Sequence, residues 1–234
     1  MRTLNEPGPS GHRQRMWVRF AKGGLRGAFV HDYEKLEFLL TLAIPRKDTK
    51  PLAKSLLARF GSLPAVFTAK PEKLREVPGV GARTAHLINL FHEVALVLAE
   101  EALCDRDLLN STAVVKGFLL RELAHEEAEH LYTIYLDRQH RLIRMGRLFR
   151  GTLAETPSYP REIVKAALAC NAAGVIIAHN HPSGLAEPSD ADMIATQALG
   201  KALATVDIQL LDHFVVGRGQ VTSMVACGYF ASSP

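Results

Sequence analysis

Cysteine is scarce in this chain, and so are long apolar runs. Cys104, Cys170 and Cys227 are odd in number, far apart and form no CxxC pair. That argues against a disulfide framework or a thiolate zinc site and fits a reducing compartment. No stretch approaches the roughly 18 uninterrupted apolar residues that a membrane span needs. The N-terminal "MRTLNEPGPSGHRQRMWVRFAKGG" lacks the apolar segment of a secretory signal. A cytoplasmic protein with no membrane partner is expected. Internal repeats and low-complexity tracts are also missing, which excludes solenoids and fibrous folds.

What remains suits a folded globule. Over 234 residues, 47% are hydrophobic and 22% charged, enough to bury a core in one large domain or two small ones. The net charge of +4 is uneven. Residues 1–31 carry Arg2, Arg13, Arg15, Arg19, Lys22 and Arg26 against Glu6 alone, a net +5, and the rest sums to −1. A basic, glycine- and proline-containing tail is expected there, either solvated and flexible or leaning on a polyanion.

Residues 32–104 read as helical throughout. Leu36, Leu39, Leu40 and Ala43 recur at helical spacing, "IPRKD" breaks the run, and Lys50 to Phe60 forms a second amphipathic segment closed by Gly61. A long helix follows from Arg83 to about Leu103, after the turn "PGVG". A linker over 105–112 then precedes a domain over 113–234 in which strands and helices alternate. "LYTIYLD" and "LIRMGRLFRGTL" form a hairpin, "PREIVKAALACN" a helix and "AAGVIIAHN" a buried strand. "SDADMIATQALGKALATV" is a further helix, and a closing hairpin runs through "LLDHFVV" and "VTSMV". The expected fold class is therefore α/β (α+β) behind a small all-α domain.

The stretch "AHNHPSGLAEPSDAD" carries the most chemistry. His179 and His181 stand at the end of the buried strand, and residues i and i+2 of a strand share a face. Asp192 falls in the first turn of the next helix, from where its carboxylate can return to the strand end. Two imidazoles and one carboxylate suffice for a catalytic zinc, which keeps its fourth position for water. Ser189 and Asp192 also fit a helix cap, which would account for both without a metal. A cap leaves the paired histidines unexplained.

His179-x-His181 followed by Ser189-x-x-Asp192 resembles the signature of JAMM metallopeptidases, the MPN domain. Together with "YPREIVKAAL", "AHNHPSG" and "LLDHFVV", the chain from about residue 30 to its C-terminus is similar to the RadC family. The resemblance implies a helix-hairpin-helix domain followed by a JAMM/MPN-like domain. It implies a Zn2+ held by His179, His181 and Asp192, with Ser189 stabilising an oxyanion during attack on an amide or isopeptide bond of a protein or peptide. It also implies a glutamate in the second strand of the first hairpin. Gly146 stands where we expect it, and no carboxylate occurs between Arg138 and Ala154. Glu155, Glu162 and Glu187 are the candidate substitutes. A DNA-associated protein, linked to repair or recombination and with a silent zinc site, is the alternative.

Two further features complete the reading. In "LREVPGVGARTA", Gly79 and Gly81 let a backbone approach a phosphate, and Arg83 adds charge. The stretch resembles a helix-hairpin-helix and predicts weak, sequence-independent DNA contact, against a plain helical turn. His213 and Asp212 are candidates to buttress a zinc histidine, against ordinary strand-end polar residues.

Overall fold

The computed structural model describes residues 11–45, 47–103, 112–150 and 159–230. It divides into two compact units, Met1–Val94 and Ala95–Pro234. The division falls inside a helix rather than at residue 104. Ile88 packs in the core of the first unit, whereas Ala99 and Leu103 pack in that of the second.

The first unit holds helices α1 (His12–Ala28), α2 (Asp32–Ala43), α3 (Lys50–Phe60), α4 (Leu63–Thr68), α5 (Pro71–Arg75) and most of α6 (Ala82–Glu101). Its core joins Leu36 and Leu40 to Ala53, Leu56, Val66, Leu74, Ala85 and Ile88. Prolines in the first turns of α3, α4 and α5 preset the helical φ where no intrahelical N–H bond is lost.

The expectation of a flexible tail over 1–31 is corrected for residues 12–28, which form α1, kinked at Gly24. The composition is basic, but Met16, Phe29 and Phe38 are buried together, and Trp17 lies 4.8 Å from Phe38 between ring centroids. Several charges are used locally. Arg13 donates to the Lys47 carbonyl at 2.7 Å, and His12 meets the buried Glu37 at 2.6 Å. Residues 1–10 lie outside the described range.

The second unit is a mixed five-stranded sheet with helices on both faces, an α+β architecture. Helix α7 (Thr112–Leu123) precedes β1 (His130–Leu136) and β2 (Leu142–Arg150). Next come α8 (Tyr159–Ala169), β3 (Gly174–Asn180), α9 (Asp190–Ala204), β4 (Gln209–Val216) and β5 (Val221–Ser223). The strand order is β2-β1-β3-β4-β5. Only β3 and β4 run parallel, because α9 is the crossover that a parallel pair requires. Alternation sorts the side chains. Tyr132, Ile134, Ile176 and Phe214 face α7 through Phe118 and Leu119. Leu131, Tyr135, Val175 and Ile177 face α8 and α9 through Ile163, Leu199 and Leu203. Strand β3 is buried along its whole length, as its continuous apolar run demands.

Among the described residues, no helix is long and apolar enough to cross a membrane. Cys170 and Cys227 are free thiols, and Cys104 lies outside the described residues.

Candidate metal centre

The end of β3 and the start of α9 meet on the sheet face that carries Leu131 and Ile177. His179 is fully buried on β3. His181 lies just past the strand, where its N–H still bonds to the Val216 carbonyl at 2.9 Å and so keeps the β3–β4 pairing going. Ser189 caps α9, accepting the Asp192 N–H at 3.2 Å, and the cap turns the Asp192 carboxylate back to the strand end. Cap and candidate ligand are thus the same structure. The helix cap does not compete with the metal reading, because it aims the carboxylate.

Three ligand side chains converge. His179 Nε2 lies 2.9 Å from His181 Nε2 and 3.2 Å from Asp192 Oδ1, and His181 Nε2 lies 3.3 Å from Asp192 Oδ2. Ligands at about 2.0–2.1 Å from a tetrahedral zinc would stand roughly 3.3 Å apart. The far nitrogens fix which atoms point inward. His181 Nδ1 is 3.0 Å from the Leu185 carbonyl, which can only accept, so in the neutral ring the proton sits on Nδ1 and Nε2 is bare. His179 Nδ1 lies 2.8 Å from His213 Nε2. Bare imidazole nitrogens facing an ionised carboxylate repel unless a cation joins them, so the donor set fits a divalent ion.

When no ion is bound, a proton at the inward edge of the imidazoles takes its place. Burial alone would raise the Asp192 pKa, but hydrogen bonding with the His179 and His181 side chains outweighs it and holds the carboxyl well below the usual range. The hydrogen bond to Asp192 raises the pKa of His181, partly against burial, with smaller contributions from Leu185 and from the charge of Glu129. Burial drives the pKa of His213 far down, so that ring is neutral.

Ser189 Oγ donates its single proton to Asp192 Oδ2 at 2.7 Å, and Ser189 N–H bonds the same oxygen at 2.8 Å. Both groups of Ser189 thus hold the Asp192 carboxylate in place. Asp212 bonds the backbone of its neighbour, accepting the His213 N–H at 2.7 Å. It accepts from Ser223 Oγ at 2.6 Å and from Val225 N at 3.2 Å, tying β4 to the segment after it.

Gly146 pairs with Thr133, which in turn pairs with Ile177. It is therefore two strands from β3 and two residue pairs below the row of His179. A Cβ there would meet nothing within 4 Å. A carboxylate at the histidine end of the sheet is one that the sequence reading passed over. Leu131 faces His179 at the end of the antiparallel β1–β3 pairing, and Glu129 lies just ahead of β1, where its charge helps to raise the pKa of His181. Asn180 fixes that end of the pair. Its side chain accepts from His130 N–H at 2.9 Å and donates to the Ala128 carbonyl at 2.9 Å. The signal that could have found Glu129 was its place two residues ahead of "LYTIYLD", the strand most apt to neighbour "GVIIAHN". Of the substitutes expected, Glu187 is exposed, Glu162 lies toward Lys165 at 3.9 Å, and Glu155 lies outside the described residues.

Gly79 adopts φ 96° against Leu52, and Gly81 and Arg83 are exposed at the start of α6. A cavity of about 380 Å³ lies at the opposite end of the sheet, between Asp137, Gly174, Asp207 and Gln209, and takes in none of the three converging ligands.

Comparison with known proteins agrees with this picture. Residues 109–229 match the RadC-like JAB domain. A UPF0758 protein of Nitrosospira multiformis is 43% identical over 201 residues, 86% of this chain and 90% of that one. UPF0758 proteins of Leptothrix cholodnii and Methylibium petroleiphilum are 42% and 44% identical, again over 86% of this chain and 90% of their own. The extent of these matches and the converging His179, His181 and Asp192 make this chain a member of the RadC family.

Proposed function

We propose that the protein is a zinc-dependent hydrolase of amide or isopeptide bonds in a peptide or protein. The observation that carries this reading is the convergence of His179, His181 and Asp192, with Glu129 just ahead of the strand that pairs with β3 and its charge felt at His181. A divalent ion held by these three side chains would supply Lewis acidity toward water and toward a carbonyl. Asp192 contributes the negative charge, and the two imidazoles contribute neutral donors whose outward nitrogens are already engaged. Glu129 takes the proton of the attacking water as the O–C bond forms, then passes it to the nitrogen as the C–N bond breaks. An acid and an amine result. Gly146 has no part in this reading, and its lack of a carboxylate does not count against turnover.

The test is Glu129→Gln against wild type, both loaded with zinc, on peptide and isopeptide substrates. A proton carrier contributes about 10²–10⁴ in rate. The variant should keep its zinc and lose hydrolysis on that scale. Equal turnover in both proteins would sink the role of Glu129. Turnover in neither, with zinc bound, would sink the hydrolase.

A second reading concerns the first unit, and sequence-independent DNA contact is the partner it supports. The exposed backbone at Gly81 and the exposed Arg83 open a 20-residue helix whose first N–H groups can meet a phosphate. Binding of duplex DNA should weaken with added salt and weaken further in Arg83→Ala. Affinity indifferent to salt and to that substitution would remove the reading.

A further inference from the structure

His179, His213 and Thr196 are all buried, and a line of hydrogen bonds runs through them to the backbone of Asp192. His179 Nδ1 meets His213 Nε2 at 2.8 Å, His213 Nδ1 meets Thr196 Oγ1 at 2.6 Å, and Thr196 Oγ1 meets the Asp192 carbonyl at 2.5 Å. The line begins at one candidate ligand and ends at another, and neither His213 nor Thr196 belongs to the converging set.

We propose that Thr196 and His213 are positioning residues that set the tautomer of His179, and so keep its Nε2 bare for a metal. The inference rests on the metal reading above. The Asp192 carbonyl has no proton, so it can only accept, and Thr196 gives it the hydroxyl proton. Thr196 Oγ1 must then accept from His213, which puts the His213 proton on Nδ1 and leaves its Nε2 bare. A bare Nε2 in turn accepts from His179 Nδ1–H. Each proton is used once, and the only remaining ring atom, His179 Nε2, faces His181 and Asp192. Run the other way, the line would place a proton on His179 Nε2, aimed at Asp192 Oδ1 3.2 Å away, where the metal belongs. The Thr196 hydroxyl decides between these directions, because its own proton goes to the Asp192 carbonyl and leaves its oxygen to accept from His213.

Thr196→Val keeps the branched shape and removes the hydroxyl, and Thr196→Ser restores it. With valine, His213 Nδ1 has no acceptor, so its proton moves to Nε2 and the proton of His179 moves to its inward nitrogen. Metal binding must then reverse both shifts. Loss of such an outer partner weakens a metal by about 10–100-fold. Zinc affinity, measured by competition with a chromophoric chelator, should fall on that scale in Thr196→Val and return in Thr196→Ser. Histidine-selective 15N spectra should show His213 protonated at Nδ1 in wild type and in Thr196→Ser, and at Nε2 in Thr196→Val. Valine binding zinc as tightly as wild type, or His213 protonated at Nε2 in wild type, overturns the inference. If wild type takes up no zinc, the metal reading fails by itself. The ring spectra of the metal-free protein then decide the direction of the line, Nδ1 supporting it and Nε2 overturning it.

Discussion

Asp192→Asn should lower the zinc content from about one ion per chain to near none. The substitution is nearly isosteric. It leaves a side-chain oxygen able to accept from Ser189 N–H, now bonded to Asp192 at 2.8 Å, so the cap of α9 persists in large part. What it removes is the charge. Two neutral imidazoles are then all that face a dication. The wild-type carboxyl is held ionised, well below the usual range, so acid does not empty the site through Asp192. Acid acts through His181 instead. Its pKa is raised above the ordinary value, chiefly by the Asp192 hydrogen bond, so protons compete for Nε2 from a higher pH than in a free imidazole. Below that pKa the proton is bound and must leave before a metal enters, so zinc affinity should fall as pH falls, by roughly tenfold per unit for one competing proton. Elemental analysis of wild type, Asp192→Asn and His179→Ala, with circular dichroism to verify folding, checks the first expectation. A full complement of zinc in either variant would remove these side chains from the site.

Phe118→Ala should cost about 3–5 kcal/mol, the range for truncating a buried phenylalanine. Phe118 is wholly buried on α7, lies edge-to-face with Tyr132 at 5.6 Å between centroids, and joins the cluster that covers one side of β1, β3 and β4. The melting transition of the second unit should drop by roughly 6–20 °C, at about 2–4 °C per kcal/mol for a chain of this size. The control is Ile143→Ala on β2, where the side chain is 42% exposed and a surface truncation should stay within about 0.5 kcal/mol. A drop of similar size in both would show that burial on α7 is not what stabilises the sheet.

Local patterns were legible from the sequence because short-range geometry fixes them. His179 and His181 share a face through the two-residue repeat of a strand, and Ser189 reaches Asp192 through the three-residue span of a cap. The continuous apolar run of β3 announced a strand buried on both faces, and the glycine and proline breaks marked the helices of the first unit. The composition of residues 12–28 misled for a physical reason. Charge dominated the average there, whereas the aromatic contacts of Trp17, Phe20 and Phe29 with Phe38 decide the fold of that segment.

The partners of the site are long-range, and only the tertiary structure decided them. Glu129 comes to the same end of the sheet as His181 because β1 pairs antiparallel with β3 and sets Leu131 opposite His179, while Gly146 stands two strands away on β2. A slip of one residue in either pair would turn every side chain to the other face, and no local pattern in "RMGRLFR" or "EEAEHLY" encodes that register. His213 meets His179, and Thr196 meets His213, because β4 lies parallel to β3 with α9 across both. The sequence by itself determined which residues could bind a metal. The packing of strand on strand determined which carboxylate faces them, which hydroxyl holds Asp192, and which ring stands behind His179. Those contacts depend on strand register and helix crossover, which are properties of the assembled sheet.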